Sequence, residues 1–223
     1  MIVCAAFCPN PPVLVPAVAQ GAAGDLDGLR AACIDVITRI AMPGRQLIVL
    51  GTGPAMRQFA ASARGTFAGY GVPLEVSLGS DEPGPTELPL SLTVGAWLVR
   101  EALGANCGAI GLSVTDGTDA GLADDGDVAL LVMGDGSARR SAAAPGYLDD
   151  RAAGFDASVV AALTSGEGRR LAGINAADGA QLLAAGVPAW QAAGRLLGTR
   201  RYAVQVSYDD APYGVGYFVA AWT

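Results

Sequence analysis

The chain has no histidine and no lysine; all 14 of its basic residues are arginine. Without imidazole no side chain ordinarily titrates between pH 5 and 8. No Ser–His or Cys–His pair can form, which excludes the common triad hydrolases. Against the arginines stand 21 acidic residues, for a net charge of −7 and a pI near 4.5. Nucleic acids and anionic membranes recruit a basic face, so neither is an expected partner. An acidic small molecule would need a local pocket of arginines. Long apolar runs are missing as well. Hydrophobic residues make up 52% of the chain and mean hydropathy is +0.38. Yet no window approaches the ~18 uninterrupted apolar residues of a spanning helix. Met1 to Cys8 is apolar, lacks a basic flank and is short for a signal sequence. It reads as the first strand of a cytoplasmic protein.

Cysteine is scarce. Cys4, Cys8, Cys33 and Cys107 form no CxxC pair, and an intracellular setting disfavours disulfides. Cys4 and Cys8 share one face of a strand and Cys33 lies on a helical stripe. The pattern predicts buried, inert thiols.

What is present is an alternation of short apolar runs and amphipathic stretches, over a length that suits one domain with a buried core. Strands are expected at Ile2 to Phe7, Gln46 to Leu50, Leu74 to Leu78, Ala109 to Val114 and Val128 to Met133. Asp25 is placed to cap a helix whose stripe is Leu26, Leu29, Cys33, Val36, Ile37 and Ile40, stopped by Pro43-Gly44. Further helices are expected at about 91–103, 148–163, 177–185 and 189–197. Strands from Tyr202 to Tyr208 and Gly216 to Trp222 close the chain as a hairpin. Helices between strands predict a three-layer α/β/α domain with a mixed, mostly parallel central sheet. No repeat, low-complexity tract or linker divides it.

In such sheets the site lies beyond the carboxyl ends of the strands. Four exit loops there carry unusual residues. The first, Cys8-Pro9-Asn10-Pro11-Pro12 through Pro16, is stiffened by four prolines and reads as an extended arm presenting Asn10. The others are Gly51-Thr52-Gly53-Pro54, Gly134-Asp135-Gly136-Ser137-Ala138 followed by Arg139 and Arg140, and Asp209-Asp210-Ala211-Pro212-Tyr213-Gly214.

The order of these loops, the Gly-Asp-x-Ser element and the Pro-Tyr-Gly-Val-Gly-Tyr ending resemble the class III extradiol ring-cleavage dioxygenases. This is the LigB-type family, to which the Memo proteins also belong. The likeness runs over nearly the whole chain and is closest to compact actinobacterial members. It implies a LigB-like fold and a homodimer as one assembly to test. It also implies an Fe²⁺ site with a His just before the Pro-Pro pair, a His in the second loop, an acid/base His after the third-loop Ser, and a late carboxylate. Here those positions hold Asn10, then Thr52 and Gly53, then Ala138 after Ser137; Asp209 or Asp210 is the nearest match for the carboxylate.

A non-haem ferrous site takes two His and one carboxylate on one face. Asn10 offers only a neutral amide oxygen, and Gly53 and Ala138 offer nothing. No iron and no other cofactor is therefore expected, and no metal ligand is assigned. The remaining expectation is a binding or interaction protein with an unknown small-molecule or protein partner. Its alternative is an enzyme, either a non-haem metal-dependent extradiol-type dioxygenase acting on a catecholic substrate or another activity with an atypical carboxylate site. For the latter, Asp135, Asp209, Asp210 and Cys8 would have to converge as oxygen-rich ligands for Mg²⁺, Mn²⁺ or Ca²⁺. The same residues also read as ordinary turn formers. Gly51-Thr52-Gly53 lacks the third Gly of a dinucleotide fingerprint and the Lys of a P-loop. Arg139 and Arg140 are candidates to meet a substrate carboxylate. The acidic stretch Asp116, Asp119, Asp124, Asp125, Asp127 misses the calcium-loop spacing and reads as a solvated face.

Overall fold

Strand β1 (Ile2–Cys8) is buried on both faces, and the two cores of the molecule divide along it. Cys4, Ala6 and Cys8 point into one core; Ala5 and Phe7 point into the other. The period of two in a strand produces this split, and it places Cys4, Cys8 and Cys33 together in the first core as buried free thiols. The computed structural model describes residues 1–117, 120–121 and 126–223. Asp119, Asp124 and Asp125 of the acidic stretch lie outside the described residues.

After β1 the chain makes a 3₁₀ turn, one helical turn α1 (Pro16–Ala19), and a further 3₁₀ segment into helix α2 (Asp27–Ile40). The proline arm is therefore coiled where an extended segment was expected. Pro12 and Pro16 sit at the first positions of these turns, where their missing N–H is not needed. The α2 stripe is buried as its spacing predicts, but Asp25 does not cap the helix. Leu26 holds that position without a side-chain bond, and Asp25 accepts instead from the Tyr213 hydroxyl, 3.0 Å away.

Next come β2 (Gln46–Thr52), short strands β3 (Arg57–Phe59), β4 (Arg64–Thr66) and β5 (Glu75–Ser77), helix α3 (Leu90–Leu103), β6 (Ile110–Val114) and β7 (Val128–Met133). Helices α4 (Arg151–Thr164), α5 (Gly168–Ala172), α6 (Ala176–Gln181) and α7 (Val187–Leu197) follow, and the hairpin β8 (Val204–Asp210) and β9 (Tyr217–Trp222) ends the chain. The central sheet runs β3-β6-β2-β7-β1-β9-β8. Strands β6, β2, β7 and β1 are parallel; β3, β9 and β8 each pair antiparallel to a neighbour. The fold is a three-layer α/β domain, with α2 and α3 on one face and α4 to α7 on the other. No helix among the described residues is long and apolar enough to cross a membrane.

Strands β3 and β4 and helix α5 carry too few apolar residues for their patterns to be legible. Strands β4 and β5 form a separate two-stranded ribbon that covers the outer side of α3. That explains why α3 is buried all round from Ser91 to Val99 and not along one stripe. Gly186, Val187 and Pro188 read in the sequence as the break between the last two helices; Gly186 caps α7, and Val187 and Pro188 are its first residues.

Trp222 joins the last strand to the first. Its ring lies 5.1 Å from that of Phe7 and stacks on Tyr202 at 5.6 Å. Its Nε1 donates to the Leu163 carbonyl over 2.8 Å. Replacing Trp222 with Ala empties this junction and leaves that buried carbonyl without its donor, so Trp222→Ala should lose about 3–5 kcal/mol. Urea unfolding at an unchanged m-value is the measurement.

Candidate functional site

Strands β1, β2 and β7 end at Cys8, Thr52 and Met133, side by side at one end of the sheet. Because β9 runs antiparallel to β1, the 211–216 loop ahead of it reaches the same end. Backbone bonds tie the exit loops together. Gly136 N–H donates to Gly216 O (2.7 Å), Gly216 N–H to Ser137 O (3.0 Å), and Arg140 N–H to Gly214 O (3.0 Å). On the other side, Gly186 N–H donates to Asp135 O (2.9 Å), Ala138 N–H to Leu182 O (3.1 Å), and the Thr52 hydroxyl to Ala185 O (2.9 Å). The segment between α6 and α7 is thus strapped across the ends of β2 and β7.

Asn10 and Asp135 come together. The Asn10 backbone N–H donates to Asp135 Oδ1 over 2.7 Å. Burial raises the Asp135 carboxyl from 3.8 to about 7, and the Asn10 N–H opposes that only in part. The buried Tyr217 lies near enough to feel the Asp135 charge; burial first, then that charge, pushes its phenol up. Ser137 is fully buried, with its hydroxyl donating to Leu182 O (2.9 Å) and accepting from Arg139 N–H (3.1 Å). It is a structural pin and exposes no hydroxyl. Ala138 is half-buried beside it.

Thr52 and Gly53 part company. Thr52 lines a cavity of about 350 Å³ with Asp116, Gly179, Leu183, Ala184 and Val187. Gly53 faces the other way, under Ser113 and Pro89. A Cβ built there would stand 2.7 Å from the Ser113 Cβ and 3.2 Å from Pro89 Cγ. No side chain fits at position 53 without moving its neighbours. Asp209 and Asp210 are exposed on edge strand β8, the second capped by Ala211 N–H at 2.7 Å. Cys8 is buried with its thiol against Cys33. Among the described residues no group of three His, Cys, Asp or Glu side chains is placed to hold a metal ion. The four-residue oxygen-and-sulfur set considered above does not assemble.

Arg140 does not face a ligand. It pairs at 2.9 Å with Asp156, a residue the sequence reading passed over. Asp156 is 1% exposed, and its Oδ1 also accepts the Ser137 N–H over 2.8 Å. Burial raises its carboxyl, against the pull of the Ser137 N–H and Arg140; the Asp209 charge adds to the rise. A signal for it exists, since Ala152, Phe155, Asp156, Val159 and Leu163 share the inward face of α4. A carboxylate on that face calls for a partner. Arg139 lies along Gly146 and Leu183, and its buried Nε has no hydrogen-bond partner among the described residues. The strap carries no motif; Tyr217 closes the Pro-Tyr-Gly-Val-Gly-Tyr ending, but nothing in that motif places it beside Asp135.

Gly53→Ala forces Ser113 or Pro89 to yield and should cost about 1–3 kcal/mol. Gly28, whose Cβ would meet nothing within 4 Å on helix α2, is the contrast. Gly28→Ala should gain about 0.5–1 kcal/mol. Chemical denaturation of the two variants checks the opposed signs.

No protein-family model matches the chain, and no curated protein matches it. Among solved structures it is similar to the uncharacterized protein JW3007 from Escherichia coli K12, with a TM-score of 0.58, 11% identity and 98% of each chain covered. At that identity the likeness is one of fold alone.

Proposed function

We propose that the chain is a binding protein on a dioxygenase-like scaffold, with a small-molecule or protein partner received at the strand-end loops and without iron chemistry. The observation carrying this reading is the crowding at Gly53. Of the two second-loop residues where the family resemblance implies an imidazole, Gly53 admits a side chain only if Ser113 or Pro89 moves, and Thr52 brings a hydroxyl that is already bonded to Ala185 O. Asn10 brings only a neutral amide oxygen, Ala138 brings no donor atom, and Asp209 and Asp210 stay in solvent. Such a donor set does not fit a ferrous site, which needs neutral imidazoles and a carboxylate on one face. Free thiols suit a cytoplasmic setting. The 350 Å³ cavity beside Thr52 is of the size small ligands use. Leu183 at its wall and Tyr213 on the opposite loop both hold left-handed backbone, φ 55° and 62°. Strain of this kind gathers at binding sites.

The test is metal analysis of protein expressed with added iron, with oxygen uptake on a panel of catechols. The expected result is iron far below one atom per chain and uptake at background. Stoichiometric iron with turnover would overturn the reading.

A second reading rests on Asp135, a carboxyl that titrates near neutrality with Asn10 and Tyr217 beside it. In a chain without imidazole, such a group is suited to general acid–base work. Unfolded, the carboxyl loses its proton near 3.8; folded, it holds it to about 7. Between those values unfolding releases a proton, so stability falls as pH rises through the window. Asp135→Asn should flatten that part of the pH–stability curve, measured by urea unfolding. A variant curve parallel to that of the parent would remove Asp135 as an acid or base at neutral pH.

A further inference from the structure

At the opposite end of the sheet three of the 14 arginines pair with one carboxylate, and a fourth, Arg200, lines the same hollow. Glu167 ion-pairs with Arg201 at 2.5 Å, Arg169 at 2.9 Å and Arg170 at 3.4 Å. The guanidinium of Arg200 rides over the Tyr202 ring, 5.2 Å from its centre. Four guanidiniums against one carboxylate leave three positive charges in one place, on a chain of net charge −7. The side chain of Glu167 is 13% exposed, whereas those of Arg169, Arg170 and Arg201 are 58–78% exposed. The carboxylate is therefore the inner hub, and the donors left over point outward.

The backbone beneath is rigid. Arg201 bridges to Glu167 and Tyr202 N–H donates to Gly166 O at 3.0 Å. Helices α5 and α7 touch backbone to backbone at Gly168, where a Cβ would stand 2.5 Å from the Gly194 carbonyl oxygen. Two hollows share this hub. One, of about 310 Å³, is walled by Arg169, Gly198, Thr199, Arg200 and Arg201. The other, of about 520 Å³, runs from Arg170 and Arg201 along the Ala157, Val160 and Ala161 face of α4.

We infer that this is a binding site for a small diphosphate ester, its two phosphates in the arginine hollow and its organic body on the α4 face. Planar guanidinium forks match phosphate oxygens two by two. Like charges held this close repel one another, and a dianionic ligand relieves that repulsion. The site is independent of the function proposed above, which lies at the other end of the strands.

Isothermal titration calorimetry on the full chain at low salt, with inorganic pyrophosphate, ADP and geranyl diphosphate, tests it. Saturable binding of pyrophosphate is expected, weakening steeply with added salt. A tighter ADP would mark a nucleoside body and a tighter geranyl diphosphate an isoprenoid one. Arg169→Gln and Arg201→Gln, both at exposed positions, should each weaken binding about tenfold, the worth of one charge-assisted hydrogen bond. Glu167→Gln should tighten it. No saturable heat with any of the three compounds, or affinities unchanged in both arginine variants with parental melting curves, would overturn the proposal.

Discussion

Everything at the candidate site depends on β1 being gripped from both sides, by β7 in parallel and by β9 antiparallel. Residues 5–7 pair with residues 220–222, so the first and last strands meet across almost the whole chain. The entropy of closing so long a loop grows only logarithmically with its length. It is offset by burial of Phe7, Trp222 and Tyr202 against one another. Once β9 is docked, β8 gains a partner and the 211–216 loop is carried to the ends of β1 and β7. Without that docking Gly214 and Gly216 could not meet Arg140, Gly136 and Ser137, and the third loop would have no wall on that side.

The other wall is electrostatic. Asp156 reaches from α4 to hold the third loop by the Ser137 N–H and by Arg140. A buried pair of this kind is poor evidence of net stability, because desolvation cancels much of the attraction. Its consequence is geometric. With Asp156 fixed, Ser137 turns inward to Leu182 and Asp135 is left at the bend, against Asn10. Two acids, one on the third loop and one on α4, thus end in different surroundings. Asp156 is paired with a cation, whereas Asp135 receives a single backbone N–H and is raised to about 7 by burial.

How far this was legible in the sequence follows from which forces wrote it. The parallel strands β1, β2, β6 and β7 are continuous apolar runs, buried on both faces, and the α2 stripe keeps its period; these are signals of composition. Strands β3 and β4, Arg-Gln-Phe and Arg-Gly-Thr, exist because a neighbour supplies hydrogen bonds, and no local pattern announces that. The extended reading of the proline arm failed because Pro at a first helical position favours a turn as readily as it forbids one later. Asn10 and Asp135 were both singled out from loop order, and they do meet. Asp209 and Asp210 were singled out in the same way and stay in solvent, since edge strand β8 has no further neighbour to cover them. Asp25 and Arg140 found partners 188 and 16 residues away, which spacing alone does not reveal.

The crowding at Gly53 bears on how the proposed loss of iron chemistry is to be understood. If the residues implied by the resemblance differed only in their side chains, space for a ring would be open at each, and placing His there would supply a ligand. At position 53 the backbone lies against Ser113 and Pro89, and Gly53 N–H is bonded to Val114 O at 2.9 Å. The Ser113 hydroxyl donates onward to Ala55 O at 2.6 Å, and the Ser91 hydroxyl to Thr52 O at 2.6 Å. Small hydroxyl residues on α3 and β6 hold the second loop down by its own carbonyls. A ring projecting from position 53 would have to displace Ser113 or Pro89 from that network. On the reading proposed here, a histidine at position 53 would have to move its neighbours before it could act as a ligand, so exchanging side chains alone would not supply a ferrous site.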